Sequence, residues 1–272
     1  MQRTLACPYF RRAFGWSVPI GGLAGLIGLG GGEFRLPVLM HVVGFDPRSA
    51  VPINLMISLV TLLFALLARG TTVSILSVEP YWPEIAGLIG GGLLSAGYGA
   101  RLVHTLTSRR LVQTIALLLA LIGLLLFVEA MNPLASMGLL PAGHLMRFAV
   151  GCILGLLIGI VSSMLGVAGG ELIIPSLIIV FGVDVRTAGT ASILISLCVI
   201  TVGLWRYWQM GAIPQGRGVQ RITIAMSLGS IIGAVIGGSA IGLAPATFLK
   251  VFLACVLIAA AGKIILSHRQ TS

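Results

Sequence analysis

Apolar runs long enough to cross a lipid bilayer recur from one end of this chain to the other, and short arginine-bearing connectors separate them. A spanning helix needs about 20 predominantly apolar residues. Candidate runs are Pro52–Ala68, Ile85–Tyr98, Leu111–Val128, Thr187–Trp205, Ile222–Ile241 and Thr247–Leu266. Two further stretches, Trp16–Val43 and Leu145–Phe181, are apolar but broken by glycine clusters, and each carries an acid where an ordinary spanning helix tolerates none. Composition agrees. A soluble domain of this size needs about a quarter of its residues charged, whereas only 9% are charged here, 57% are hydrophobic and the mean hydropathy is +1.09. The expectation is an all-α, polytopic, multi-pass membrane protein of a bacterial-type inner membrane.

The net charge of +10 does not point to nucleic acid. A phosphate-binding face would gather its cations on one surface. Here they sit in small groups between apolar runs, at Arg11–Arg12, Arg109–Arg110, and Arg217 with Arg221, as connectors kept on the cytoplasmic side do. Arg11 and Arg12 precede an apolar stretch as in a signal peptide. However, the glycine run from Ala24 to Gly32 leads into more apolar sequence without a cleavage site, so this reads as a retained first membrane segment. Cys7, Cys152, Cys198 and Cys255 form no CxxC pair, and His41, His104, His144 and His268 are scattered, so no metal or cofactor is expected.

The two broken stretches are copies of one another. Gly28-Leu-Gly-Gly-Gly-Glu33-Phe-Arg-Leu-Pro37 recurs 138 residues later as Gly166-Val-Ala-Gly-Gly-Glu171-Leu-Ile-Ile-Pro175. The same offset pairs Gly44, Asp46, Arg48 and Ala50 with Gly182, Asp184, Arg186 and Ala188, and Ser58 with Ser196. Apolar matches mean little in such a chain. Acid matches weigh more, because only 7 acids exist and four of them pair at this offset. Later the offset becomes 142, where Gly87 and Gly91 match Gly229 and Gly233. The expected organisation is a first membrane repeat over 1–130, a connecting loop over 131–144 around Asn132-Pro133, Pro141 and Gly143, and a second repeat over 145–272.

Arginine placement bears on how the halves run. If each broken stretch crosses once, about ten Lys and Arg fall inside and six outside; if each re-enters, the halves are antiparallel and the division is about twelve to four. The re-entrant, inverted arrangement fits better, with each broken helix followed by three membrane helices. It also matches transporters in which inverted repeats bring broken helices together near the midplane.

The motifs carry the chemistry. Gly30, Gly31 and Gly32 interrupt the helix, and irregular backbone at membrane depth is tolerated only inside protein or beside a wet cavity. A helix restarting near Phe34 presents unpaired N–H groups and a partial positive charge, which bind oxyanions without a cationic side chain. Pro37 and Pro175 are expected in the first turn or so of the restarted helices. Gly169 and Gly170 repeat the device in the second half. Glu33 and Glu171 suit either a coupling role or capping of the restarted helices, and the residues alone leave both open. Arg35, whose counterpart is Ile173, suits pairing with Glu33, binding of an anion, or snorkelling to an interface. Asn54 and Ser58 lie one helical turn apart and match Ser192 and Ser196; they suit either hydrogen bonds to a solute or packing between helices. Asp46 and Asp184 are expected to cap helices.

Two motifs of the form GxGGGxxxxP, each opening one half of a small membrane protein, resemble the TauE/SafE (sulfite exporter, TSUP) family. The first copy fits through Gly28, Gly30–Gly32 and Pro37, while the second departs at Ala168. The resemblance covers essentially the whole chain. It implies a transporter of sulfur-containing or organic anions such as sulfite or sulfonates. The expected function is therefore a secondary transporter for a small anion, moved between the repeats and involving Gly31, Gly32, Glu33, Arg35, Asn54, Ser58, Gly169, Gly170, Glu171, Ser192 and Ser196. The partners expected are the small anionic solute and the lipid bilayer, with a homodimer allowed and no nucleic acid. A channel, a membrane-embedded enzyme and a structural subunit are the rivals; the enzyme lacks a His, Asp or Ser cluster at helical spacing.

Overall fold

A computed structural model describes residues 7–70, 75–102, 143–165 and 167–243, with single positions and pairs between 120 and 131 and between 245 and 262. The expected spans Leu111–Val128 and Thr247–Leu266, and the connecting loop, lie mostly outside the described residues. Among the described residues every regular element is helical, as the apolar periodicity demands. The order is α1 (Cys7–Ile27), α2 (Gly32–Pro37) running into a π-helical turn (Val38–Val43), α3 (Pro47–Arg69), a 3₁₀ segment (Ile75–Tyr81), α4 (Trp82–Leu102), α5 (His144–Leu165), α6 (Gly170–Ile179), α7 (Val185–Gln209) and α8 (Arg217–Ala240).

Among the described residues, four stretches are long and apolar enough to cross a membrane by length and composition: Ser49–Arg69, His144–Ser163, Val185–Gln209 and Arg217–Ala240. At 1.5 Å per residue each covers about 30 Å, the hydrocarbon thickness of a bilayer. Leu145, Ile153 and Leu157 on α5, and Leu228, Ile232 and Ile236 on α8, are exposed and face where lipid would lie. Trp82, Trp205 and Trp208 stand exposed near helix ends, where amphipathic rings favour the headgroup region.

Helix directions follow from contacts. Helices α1 and α8 run parallel and close: a β-carbon at Gly21 would stand 2.7 Å from Ser230 Cα, and one at Gly25 would stand 2.9 Å from Ala234 Cα. Helices α4 and α5 do the same through Gly91, Gly155 and Gly159, and the Arg147–Glu84 ion pair joins their first turns. Without a hydrophobic drive between helices in lipid, such small-residue seams supply the packing. Helices α3 and α7 run antiparallel, with Arg69 at the end of α3 bonded to the start of α7.

Both broken stretches turn back on themselves. Gly31 lies against Ile20 and Ala24, and Val43 shares a cluster with Ala13, so α2 and its π-helical turn return toward the start of α1. In the second stretch Gly169 lies against Ile158 and Ser162, and Arg147 at the start of α5 donates to the Phe181 carbonyl oxygen at 3.3 Å. The first hairpin starts beside the N-terminal ends of α3 and α8, the second beside the end of α3 and the N-terminal ends of α4 and α7.

Asp46 and Asp184 cap α3 and α7, the first accepting from Ser49 N at 3.1 Å and the second from Arg186 N at 2.9 Å. The prolines are corrected. The short helices restart at Gly32 and Gly170, directly after left-handed glycines, so Pro37 and Pro175 fall in the second turn. At Pro37, which lacks the N–H of an α-helical bond, α2 gives way to the π-helical turn.

Candidate functional site

The two breaks meet. Gly31 and Gly169 occupy the N-cap positions of α2 and α6 with φ of 69° and 78°, a conformation that costs any residue with a β-carbon. Neither cap receives a side-chain hydrogen bond. The backbones come within contact of each other at Gly170, where a β-carbon would stand 2.9 Å from Leu29 Cα and 3.1 Å from the Gly28 carbonyl oxygen. Around Gly32 the neighbours are side chains instead: 3.0 Å to Asn54 Nδ2 and 3.3 Å to Val167 Cγ1. Here two restarted helices present their first turns, whose leading N–H groups lack the usual partner four residues earlier.

The polar residues of α3 and α7 hold these breaks in place. Asn54 donates to the Gly32 carbonyl at 3.1 Å, Ser196 to the Ala168 carbonyl at 2.9 Å, and Ser192 to the Gly28 carbonyl of the other half at 3.2 Å. Freed backbone carbonyls at membrane depth need such donors. Ser162 adds a bond to the Val167 carbonyl.

Arg35 is fully buried, so it does not snorkel. Nor does it form an ion pair among the described residues. Its Nη1 donates to Ser58 Oγ at 2.9 Å and to the Gly30 carbonyl at 3.4 Å; its Nη2 donates to Thr61 Oγ1 and Ser230 Oγ, both at 3.1 Å. A cation is thus held inside the helices by neutral acceptors. Both carboxylate oxygens of Glu33, and Oε1 of Glu171, are buried and accept no hydrogen bond of ordinary geometry.

Every candidate solute-binding residue named from the sequence lies at or beside the two breaks. Among residues that sequence reading did not single out are Thr61, Ser230, Arg69 and Thr190. Arg69, fully buried, donates from Nε to the Gly25 carbonyl at 2.9 Å, from Nη2 to the Leu26 carbonyl at 2.7 Å, and from Nη1 to Thr190 Oγ1 at 3.1 Å. Among the described residues no three His, Cys, Asp or Glu side chains come together as a metal would require.

Comparison with curated proteins and with solved structures returned no match. The sulfite exporter TauE/SafE family model matches residues 13–264, which takes in both breaks, both arginines, most of α1 and all of α2 to α8. A match over nearly the whole chain, on a structure with helices long enough to span a membrane, is decisive: the chain belongs to the TauE/SafE sulfite exporter family, a family of membrane transporters rather than enzymes.

Proposed function

We propose that the chain is a secondary transporter for a small sulfur oxyanion or organosulfonate, with its site where the two glycine breaks meet between inverted repeats in the inner membrane. One observation carries this reading: the first residue of the second restarted helix abuts the bare backbone of the opposite break, beside a buried arginine that no carboxylate neutralises by direct contact among the described residues. Oriented backbone N–H groups and a guanidinium both favour an oxyanion. The close approach that glycine permits lets the solute reach them.

The reading is tested by sulfite binding and by saturable sulfite flux into proteoliposomes. Gly170→Ala is expected to weaken sulfite affinity at least about tenfold, because its methyl group meets the backbone of the opposite break. Gly32→Ala is expected to do less, because the side chains of Asn54 and Val167 can shift. Affinity is measured on monodisperse protein so that lost folding is not read as lost binding. Unchanged affinity in both variants, or wild-type flux that never saturates, would count against the site.

The inverted arrangement, with repeats over 1–130 and 145–272, draws support from the helix directions. The parallel pairs α1·α8 and α4·α5 each join one helix from each half, and α3 and its counterpart α7 run opposite ways. The end of the molecule bearing Arg11, Arg12, Arg206, Arg217 and Arg221 is then cytoplasmic. Cysteines at Phe10 and Met210, both exposed, are expected to react with an impermeant maleimide only from that side, and one at His144 only from the other. The assay uses protein whose native cysteines are replaced by serine. Labelling of positions 144 and 210 from one side would sink the inverted reading.

A further inference from the structure

We propose that the chain has a single seat for the solute's anionic group, built on one side only around Arg35, with Ser17, Thr61 and Ser230 as members that the repeat does not duplicate. This rests on the transport reading and deepens it. Three elements converge there, Arg35 from α2, Ser58 and Thr61 from α3 and Ser230 from α8, and α1 adds Ser17 at the adjoining position of α8. Ser17 lies against Gly229, the residue before Ser230; a β-carbon at Gly229 would stand 3.0 Å from Ser17 Cβ.

Two atoms in this cluster have nothing to bond. Ser17 Oγ and Arg35 Nε are buried, and neither has a hydrogen-bond partner. Buried polar groups are normally paired, and an exception calls for an absent partner. The paired members suit the same occupant. A serine hydroxyl accepts from the guanidinium and retains one O–H to give an oxyanion. Thr61 donates its hydroxyl to the Ile57 carbonyl at 2.7 Å, so it positions the guanidinium rather than touching solute.

The second half shows what the same place becomes without the charge. At the offset of 138, Arg35 corresponds to Ile173, Thr61 to Val199, Ser17 to Gly155 and Gly30 to Ala168; at the later offset of 142, Ser230 corresponds to Leu88. All five counterparts line one small cavity. Of the polar side chains of the seat only Ser58 keeps a polar counterpart, Ser196; the others are replaced by an apolar residue or glycine, and a gap has been left. An anion in a cavity lined by apolar residues and by Ser162, whose hydroxyl is engaged by the Val167 carbonyl, is heavily penalised. Arg35 therefore makes the solute's path one-sided although the backbone is duplicated.

Equilibrium binding of labelled sulfite to the purified full-length protein tests this, with thiosulfate and methanesulfonate as parallel probes. One anion per chain is expected. Ser17→Ala is the sharpest variant: its hydroxyl has no protein partner, so the melting temperature of the unliganded protein should hold or rise while affinity falls about fivefold or more. Ser230→Ala is expected to weaken binding about tenfold, and the counterpart changes Val199→Ala and Ile173→Val to leave it within about twofold. Two anions per chain would overturn the single seat. So would wild-type affinity in both Ser17→Ala and Ser230→Ala alongside a loss in Gly170→Ala, which leaves transport at the breaks intact. Binding of none of the three probes by the wild-type protein would overturn the seat and the transport reading together.

Discussion

Changing Arg69 to methionine is expected to destabilise the purified protein by about 3–5 kcal/mol, seen as a large drop in melting temperature or as loss of monodisperse material. The side chain is fully buried and holds the last turn of α1. The carbonyls of Gly25 and Leu26 are among those a helix end leaves without an internal partner. A cation there also meets the negative end of the helix dipole. The same guanidinium reaches Thr190 Oγ1 and, at 3.4 Å, the Arg186 carbonyl at the start of α7, so it ties α1, α3 and α7 at one end. It lies directly on Gly189, where a β-carbon would stand 2.7 Å from Nη1. Methionine fills part of the volume and leaves these oxygens unsatisfied in apolar surroundings, each at about 1–3 kcal/mol. Arg69→Lys is expected to recover only part of the loss, since one ammonium cannot span acceptors on two helices. A methionine variant melting within a degree or two of wild type would contradict the clamp.

Arg69 also shows where sequence reading stops. An arginine at the end of an apolar run looks like any connector cation, because the positive-inside rule puts arginines there too. Only the packing of α3 beside the end of α1 reveals that it points inward. Ser230 is hidden for a different reason: it lies 195 residues from Arg35, and one serine in an apolar helix has no local signature. The glycine breaks were legible because they are duplicated and carry acids, and a buried acid is too costly to occur twice by accident. Asn54, Ser58, Ser192 and Ser196 were legible as a matched pair of turns, but their partners were not. The structure spends three of them on backbone carbonyls of the breaks and one on Arg35. The first short helix starts at Gly32, two residues before the restart expected near Phe34, since a GGG run does not say which glycine takes the left-handed conformation.

Arg35→Gln is expected to divide function from stability. A buried guanidinium with neutral ligands has lost its hydration without gaining an ion pair, so replacing it by a neutral amide of similar reach removes a cost as well as bonds. The melting temperature of the variant should stay within a few degrees of wild type. Anion transport should not survive so well. A charge-assisted bond is worth about 1.5–3 kcal/mol, and an oxyanion facing an amide in place of a guanidinium forfeits it along with the long-range attraction. Saturable sulfite flux in proteoliposomes is therefore expected to fall about 10–100-fold. Arg35→Lys, which keeps the charge but loses the planar fork that reaches Ser58 on one side and Thr61 and Ser230 on the other, should fall between the two. The reverse pattern would assign Arg35 to the framework: a glutamine variant that transports sulfite normally but melts far below wild type needs its guanidinium for folding and not for the anion.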